Sequence, residues 1–244
     1  MKLSIVGSSS KGNGYVLHND TEALIIEAGV KYKSVKQAID WNVSKIAACI
    51  VSHSHSDHAG HMDEYLKEGV KVYAPASKEQ SSHNYHFKYT QLEFGVQFHA
   101  GSFHILPFSL VHDVPCAGYL IKHPEAGKLV FITDTHYCPY KFTGVNHFII
   151  EANYSEAILR HRLDVGLIDF AYYERVIRSH MSLETAIAML SDNDLTHTHT
   201  ITLIHLSDGN SDARLFKRTV EKTFGIPVTI ADAGMVIELH NPNN

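Results

Sequence analysis

The most informative stretch of this sequence is Val51-Ser52-His53-Ser54-His55-Ser56-Asp57-His58-Ala59-Gly60-His61. It follows an apolar run, residues 46–51, which predicts a buried strand. His53 and His55 are two positions apart, so in extended backbone both side chains point the same way. Asp57 and His58 follow, and the backbone must turn there to bring their side chains to a second metal position. Imidazole and carboxylate suit zinc, iron or manganese, and the pattern predicts two ions side by side. A surface turn that merely contains histidines is the disfavoured alternative.

The composition agrees with a metal-binding globular protein. The chain has 244 residues, of which 44% are hydrophobic and 19% are charged, and it contains 19 His against 21 Lys and Arg. So many imidazoles favour metal binding. The net charge of −5 argues against a surface coated with basic patches for nucleic acid, although it leaves room for a local basic groove. Because the composition shows no break, we expect one domain over residues 1–244.

Several classes of protein are disfavoured by the apolar and cysteine patterns. No apolar run approaches the ~20 residues needed to span a bilayer. The opening residues 1–15 contain only a short apolar stretch, unlike the core of about 7–15 residues in a signal peptide. Cys49, Cys116 and Cys138 are odd in number and widely spaced. We therefore expect a protein without membrane contact in a reducing compartment, the cytoplasm.

Hydrophobic periodicity predicts sheets covered by helices. The stretch 7–13 between the first two strands is typical of a turn. Strands are predicted at 2–6, 14–17, 23–27, 46–51, 71–74, 92–99, 103–111, 117–122, 128–133, 147–151, 201–205, 227–230 and 235–239. Helices are predicted at 34–40, 62–67, 77–83, 155–163, 169–178, 182–191 and 212–223.

The H-x-H-x-D-H pattern of residues 53–58 resembles that of the metallo-β-lactamase-fold hydrolases. The resemblance implies an α/β fold, a four-layer αββα sandwich with two metals at one edge. It also implies that further ligands follow strands, and His112, Asp134 and His205 each follow a predicted strand. In the implied site, one metal has His53, His55 and His112 as ligands. The other has Asp57, His58 and His205, and Asp134 bridges the two.

The downstream ligands have rivals in the sequence. His99, His104 and His123 compete with His112, which the strand end and the following aspartate favour. His197 and His199 lie in a polar loop, whereas His205 ends a buried strand. Asp134 could also be an ordinary turn aspartate. The order of the whole set along the chain favours the implied site.

Further segments resemble the YycJ/WalJ-like branch, which is related to nucleic-acid phosphodiesterases. Glu27 stands where those relatives have an aspartate that orients a ligand imidazole, and the longer carboxylate either keeps that role or loosens metal affinity. His136 and Ser179 each replace a glycine of the branch, and His136 is expected to narrow the pocket or add a polar group. The matching segments are 7–15, 24–29, 150–154, 179–182 and 205–210.

The branch implies a dinuclear phosphodiesterase, specifically a 5′-to-3′ exonuclease on double-stranded DNA. A hydroxide bridging two divalent ions, zinc or manganese with iron also suited, would attack phosphorus. Asp57 would orient it and accept its proton, and His180 would protonate the leaving group. His180 could instead simply precede a helix capped by Ser182. The candidate substrate contacts are Ser9, Lys11, Asn13, Asn153 and Asn210.

Other readings of the same site stay open. A small ester, thioester or lactone could be hydrolysed on the same metals, which would need no basic groove and would use an apolar pocket. A metal-binding scaffold without activity is less favoured because the ligand set is complete. The nucleic-acid partner would be DNA rather than RNA, and the oligomeric state is open. The apolar pocket would be formed by Tyr85, Phe87, Tyr137 and Phe142, and a nucleic-acid strand would meet Lys11, Lys31, Lys33, Lys36, Arg160 and Arg162.

Overall fold

The computed structural model describes residues 1–76 and 87–241. Within them, the first sheet has seven strands in the order β14-β1-β2-β3-β4-β5-β6. Its strands are β1 (Lys2–Ser9), β2 (Gly12–His18), β3 (Ala23–Ile26), β4 (Ile46–Ile50), β5 (Val72–Ala74), β6 (Tyr89–Gln91) and β14 (Val236–Glu238).

The second sheet also has seven strands in the described residues, in the order β13-β12-β11-β10-β9-β8-β7. Its strands are β7 (Phe98–Ala100), β8 (Phe103–Leu110), β9 (Cys116–His123), β10 (Gly127–Ile132), β11 (His147–Glu151), β12 (Thr200–Ile204) and β13 (Val228–Ile230). The helices are α1 (Tyr32–Ala38), α2 (Ser56–Ala59), α3 (Met62–Lys67), α4 (Glu156–Asp164), α5 (Phe170–Ser179), α6 (Leu183–Ser191) and α7 (Ala213–Phe224), with a 3-10 turn at Val43–Lys45.

The structure has four layers, in the order helices, sheet, sheet and helices, and apolar clusters fill the three spaces between them. The inner faces of the two sheets meet in a core that includes Tyr119 and Phe131. A second cluster, which includes Tyr65, joins α1 and α3 to the outer face of the first sheet. A third, which includes Phe148 and Phe216, joins α6 and α7 to the outer face of the second sheet. The predicted αββα sandwich is therefore confirmed.

Each sheet contains a parallel section whose carboxyl ends lie at one common edge. In the first sheet β3, β4, β5 and β6 run parallel. In the second sheet β10, β11, β12 and β13 do. Every residue of β11 is buried, as expected for a parallel strand covered on both faces. The Tyr119 hydroxyl donates to the carbonyl of Val51 at 2.6 Å and links the sheets at this edge.

The structure differs from several local predictions. The strand predicted at 92–99 is wrong, because Gly95 has a left-handed φ of 81° and only β7 remains of it. The short strand β6 was not predicted. The turn predicted at 7–13 is shorter than expected, since β1 and β2 extend to Ser9 and from Gly12.

Other predicted elements have the expected place. The Ser182 side chain accepts a hydrogen bond from Thr185 N and caps α6, and Gly225 ends α7 in the left-handed conformation. The predicted helix 77–83 lies outside the described residues, as does Tyr85. In the part of the chain that is described, no helix has both the length and the hydrophobicity to cross a bilayer.

Candidate metal centre

The candidate ligands lie where strands of both sheets end. His53 and His55 follow β4, and His58 lies in α2. The loop after β3 packs so tightly on this turn that a Cβ added at Gly29 would overlap the carbonyl oxygen of Asp57. A glycine is therefore required at position 29 to let the two backbones approach.

The strand ends have unusual backbone geometry. Glu27, Asp134 and His205 have φ angles of 71°, 45° and 55°. Side chains with a Cβ rarely occupy this left-handed region, and such strain concentrates at functional sites. These three residues follow β3, β10 and β12 directly or closely, so they place strain at the common edge. Asp40 and Trp41, in the turn after α1, share this conformation away from the site.

One cluster contains the first three implied histidines. His55 Nδ1 lies 3.3 Å from His112 Nε2, and His53 Nε2 lies 3.7 Å from Asp134 Oδ2. The candidate ligand atoms of these four residues all lie within 4.8 Å of one another. The carboxylate of Asp113 also approaches His112 Nε2, at 3.1 Å.

A second cluster shares Asp134 with the first. The Nε2 atoms of His58 and His205 each lie 3.4 Å from Asp57 Oδ2. Asp134 Oδ1 lies 3.4 Å from His58 Nε2, and the hydroxyl of Thr133 donates to that oxygen at 2.7 Å. Asp134 therefore lies between the two clusters, as the resemblance implied.

The donor set fits a pair of divalent cations. The buried Nε2 atoms of His53 and His205 have no hydrogen-bond partner in the described part of the chain. Burial lowers the pKa of His53, and the nearby His58 lowers it further, which favours the neutral imidazole that a metal needs. Burial opposes ionisation of Asp134, but His205 and His58 hold its pKa well below the usual range. Neutral imidazole and ionised carboxylate are the states that bind metal. Burial opposes protonation of His58 and His205, but Asp134 raises the pKa of both imidazoles well above the usual range, so a cation bound there displaces protons.

Glu27 lies behind the second cluster. It is fully buried, and its Oε1 is 3.4 Å from His58 Nδ1, the ring nitrogen that faces away from Asp134. Its Oε2 accepts a hydrogen bond from Ser52 N at 3.1 Å. The carboxylate is thus in the position from which it can orient the His58 ring.

Glu151 is a site residue to which the sequence analysis gave no role. It is fully buried at the end of β11. Its Oε1 accepts hydrogen bonds from His180 Nδ1 at 2.6 Å and from His205 Nδ1 at 3.0 Å. Its Oε2 accepts from Met181 N at 3.0 Å. The only sequence signal was the E-A-N segment, residues 151–153, which begins at the last residue of the apolar strand 147–151.

The carboxylate of Glu151 joins the metal clusters to His180. Burial opposes protonation of His180, but the facing Glu151 raises its pKa above the ordinary value. His180 ends α5 rather than beginning a helix, since α6 begins later, at Leu183. The centroid of its ring lies 5.4 Å from that of His205, so His180 remains a candidate site residue.

A cavity of about 250 Å³ opens above the clusters. Its walls are mostly polar, and one side is formed by α5. His136 is exposed to solvent and does not line this cavity. It therefore does not narrow the pocket as expected. The wall includes Asp57, His112, Asp134, Arg175, His180 and His205.

The described candidates for the apolar pocket lie apart from the cavity above the clusters, and Tyr137 instead lines a separate, mostly apolar cavity of about 300 Å³ beside α6. The side chain of Phe87 is 85% exposed and that of Tyr137 is 50% exposed, and Phe142 packs against the outer core of the second sheet. None of these three lines the cavity above the clusters.

A model of the Beta-lactamase superfamily domain matches residues 28–206 of this sequence. The chain belongs to the metallo-beta-lactamase superfamily. Its buried histidine and aspartate clusters are those of a metal-binding hydrolase of this superfamily.

Two relatives of this chain carry nuclease names. The chain is 26% identical to exodeoxyribonuclease YycJ of Bacillus anthracis, over 99% of this chain and 95% of the relative. It is also 26% identical to exodeoxyribonuclease WalJ of Streptococcus pneumoniae, over 90% and 86% of the two chains.

A solved structure is similar over nearly the whole fold. The metallo-beta-lactamase fold protein YhfI from Bacillus subtilis superposes with a TM-score of 0.72 at 18% identity. The match covers 97% of this chain and 99% of that one.

The predicted substrate contacts differ in their positions. Lys11 lies at the tip of the β1–β2 hairpin with an 86% exposed side chain, 3.8 Å from the carboxylate of Asp208, and Ser9 accepts a hydrogen bond from Lys11 N. Asn153 lines the cavity, and its amide donates to the His205 carbonyl at 2.8 Å. These three remain candidate contacts.

Asn13 and Asn210 have other roles in the structure. The Asn13 amide is 1% exposed and lies 3.1 Å from His58 Nε2. Asn210 is fully buried, and it bonds Arg162 through Oδ1 and Tyr172 through Nδ2. Because both atoms of its amide are engaged, Asn210 positions other side chains instead of offering a free group to a substrate.

Proposed function

We propose that this superfamily member is a dinuclear-metal phosphodiesterase that removes nucleotides from the 5′ ends of double-stranded DNA. The observation that carries the proposal is the sharing of Asp134 between two buried ligand clusters, with His180 held beside them by Glu151. The nuclease names of the two relatives favour DNA as the substrate.

Seven side chains would hold two divalent cations. His53, His55 and His112 would bind one, and Asp57, His58 and His205 the other, with Asp134 on both. Zinc and manganese both suit these nitrogen and oxygen donors, as does iron. When bound, such a pair lowers the pKa of a water and neutralises charge on phosphoryl oxygens.

The protein's own residues would handle the protons. Asp57 faces the cavity, so it would orient the attacking water and accept its proton. As the water oxygen bonds to phosphorus, the bond from phosphorus to the 3′ oxygen breaks. His180 would protonate that leaving oxygen, because Glu151 engages its Nδ1 and leaves Nε2 for the substrate. The products are a nucleotide and a shortened strand with a 5′-phosphate.

The cavity supports an anionic substrate over a neutral small ester. Its wall is mostly polar and includes Arg175, and the two cations would offset the charge of the carboxylates that share the wall, Asp57, Asp113 and Asp134. Of the aromatic residues proposed for an apolar ester pocket, Phe87, Tyr137 and Phe142 do not line this cavity, which favours a phosphodiester over a small ester.

The test uses a linear DNA duplex labelled at either the 5′ or the 3′ end. The protein is loaded with Mn²⁺ or Zn²⁺, its metal content is measured, and Asp134→Ala runs beside the wild type. We expect progressive release of mononucleotides from 5′ ends by the wild type and none by the variant. Wild-type protein with two metal equivalents that leaves the duplex intact would overturn the proposal.

A matched control is His147→Gln. His147 is 1% exposed at the amino end of β11, on the sheet edge away from the clusters. This variant should keep both metals and the nuclease activity, so a loss in Asp134→Ala is then attributable to the site.

A further inference from the structure

One face of α5 forms a wall of the catalytic cavity. Tyr172, Arg175, Val176 and Ser179 all line it, and their spacing of three and four residues is that of a single helix face. His180 follows directly at the end of this helix. The wall therefore runs from the proposed proton donor along α5 toward its first turn.

Arg175 is exposed to solvent on this wall and rests against a positioned aromatic ring. Its guanidinium lies over the ring of Tyr172, 5.1 Å from the ring centroid. The Tyr172 hydroxyl accepts a hydrogen bond from the buried amide of Asn210 at 3.0 Å, and Arg162 in turn donates to that amide at 2.7 Å. Buried contacts thus fix the ring on which Arg175 rests.

Arg175 differs from its neighbours in its charge partners. Arg178 pairs with Glu174 of the same helix, and Arg160 pairs with Asp164 in α4, both at 3.1 Å. Within residues 1–76 and 87–241, no carboxylate forms an ion pair with Arg175. A guanidinium with free donors beside a cavity suits a phosphate, which it can bind through two parallel hydrogen bonds.

We propose that Arg175 binds a second phosphate of the substrate, the 5′-phosphate of the nucleotide that is being released. The inference rests on the proposed function and names its substrate class, a strand with a phosphorylated 5′ end. Arg175 and His180 line the same cavity, so a single strand can meet both side chains at neighbouring phosphates.

The side of the cavity determines which phosphate Arg175 meets. In 5′-to-3′ cleavage the leaving oxygen is the 3′ oxygen of the first nucleotide, and the proton donor marks its side. Arg175 lies on the same helix as that donor, so it faces the first nucleotide and not the remaining strand. The first nucleotide has one other phosphate, at its 5′ end.

The first measurement compares two thymidine dinucleotides, one with and one without a 5′-terminal phosphate. Holoprotein should cleave the phosphorylated form with a kcat/KM about tenfold to a hundredfold higher, mainly through KM, as expected for one charge-assisted pair. Arg175→Gln should reduce this ratio to about one. Arg175→Lys should keep part of the wild-type ratio, because lysine retains the positive charge. The ratio should stay below that of the wild type, because lysine cannot donate two parallel hydrogen bonds to the phosphate.

The matched control is Arg178→Gln on the same helix. Arg178 is exposed and paired with Glu174, so its removal should leave the ratio at the wild-type value. A wild-type ratio in Arg175→Gln would overturn the inference, and cleavage of both dinucleotides would then leave the proposed function intact.

A binding measurement separates the two proposals if no dinucleotide is cleaved. Calorimetry compares thymidine 3′,5′-bisphosphate with thymidine 3′-monophosphate on holoprotein, so the added 5′-phosphate alone is measured. Wild type should bind the bisphosphate about tenfold to a hundredfold more tightly, and Arg175→Gln should lose that difference. Equal affinities in the wild type would overturn the Arg175 site, whatever the activity. Failure of catalysis with this difference present would overturn only the proposed function.

Discussion

Buried histidines occupy both edges of the sandwich, but they differ in what their ring nitrogens meet. At the carboxyl edge, the Nε2 atoms of His53 and His205 are buried without hydrogen-bond partners in the described residues and face other ligand atoms. At the amino edge, His147 bonds Thr200 Oγ1 at 2.8 Å and the carbonyl of His240 at 3.1 Å. His18 likewise bonds Ser4 Oγ at 2.9 Å.

The difference shows that histidine content alone is a poor sign of a metal site. A buried imidazole whose two nitrogens are both hydrogen-bonded within the chain has no nitrogen left to coordinate a metal. Buried nitrogens that converge without partners are incomplete, and a cation completes them. Substitutions at the two edges test this contrast between the carboxyl edge and the amino edge.

The largest effect is expected from Asp134→Asn. The change removes one negative charge from the residue shared by both clusters, so metal content should fall below two equivalents and activity by about a thousandfold or more. His147→Gln at the amino edge should keep both equivalents. Elemental analysis with matched kinetic assays measures both variants, and an Asp134→Asn protein with two metals and near-normal turnover would refute the contrast.

His180→Ala should reduce kcat on DNA by about 10²–10⁴, the usual contribution of a positioned acid. Both metals should remain bound, because His180 is outside the two proposed ligand sets. A p-nitrophenyl phosphodiester has a leaving group that needs little protonation, so the substitution should reduce kcat much less on this substrate than on DNA. Equal losses on the two substrates would argue against proton donation and for a merely structural role.

Glu27→Gln should weaken metal affinity by about tenfold to a hundredfold, as expected when a partner of a ligand imidazole is neutralised. The carboxylate faces His58 Nδ1 at 3.4 Å, and the amide keeps its size. Competition with a chromogenic chelator measures the change. Glu22→Gln is the control, because Glu22 bonds His123 at the amino edge at 2.9 Å, and an equal effect there would contradict the role of Glu27.

The smallest effect concerns stability in acid. Burial lowers the pKa of His147 to about 4, so the unfolded chain takes up a proton from about pH 6.5 downward while the folded chain resists. Unfolding therefore becomes easier as pH falls from about 6.5 toward 4. His147→Gln should reduce this fall by on the order of 1–3 kcal/mol.

Urea unfolding of wild type and His147→Gln at pH 7.5 and 4.5 measures the effect. Comparing the two differences cancels the contribution of the metal site, which both proteins share. Identical pH dependence in the two would mean that the His147 ring is not kept neutral by its surroundings.

The candidate ligands at strand ends could be predicted from the sequence. Residues whose contacts are distant along the chain could not. His53, His55, Asp57 and His58 form one local pattern, and the later candidates each end an apolar strand. Glu151 looked like any carboxylate after a strand, because its use depends on His180 and His205, which reach it only through folding. Arg175 had no local signal, since the cavity wall is a property of packing.

Local conformation also limited the prediction. Residues 92–97 contain apolar side chains that suggested a strand, but the left-handed φ of Gly95 ends any extended run. Asn210 lies in a polar segment that matched a nucleic-acid enzyme branch. Its amide is nonetheless buried between Arg162 and Tyr172, an arrangement that periodicity cannot reveal.

The left-handed backbone at Glu27, Asp134 and His205 sets stability against function at this edge. Each such residue costs on the order of 1–3 kcal/mol that glycine would largely avoid. Glycine at any of the three positions would relax the fold and, in the same step, remove a side chain of the proposed site. A search for more stable variants would therefore reach inactive ones first at these positions.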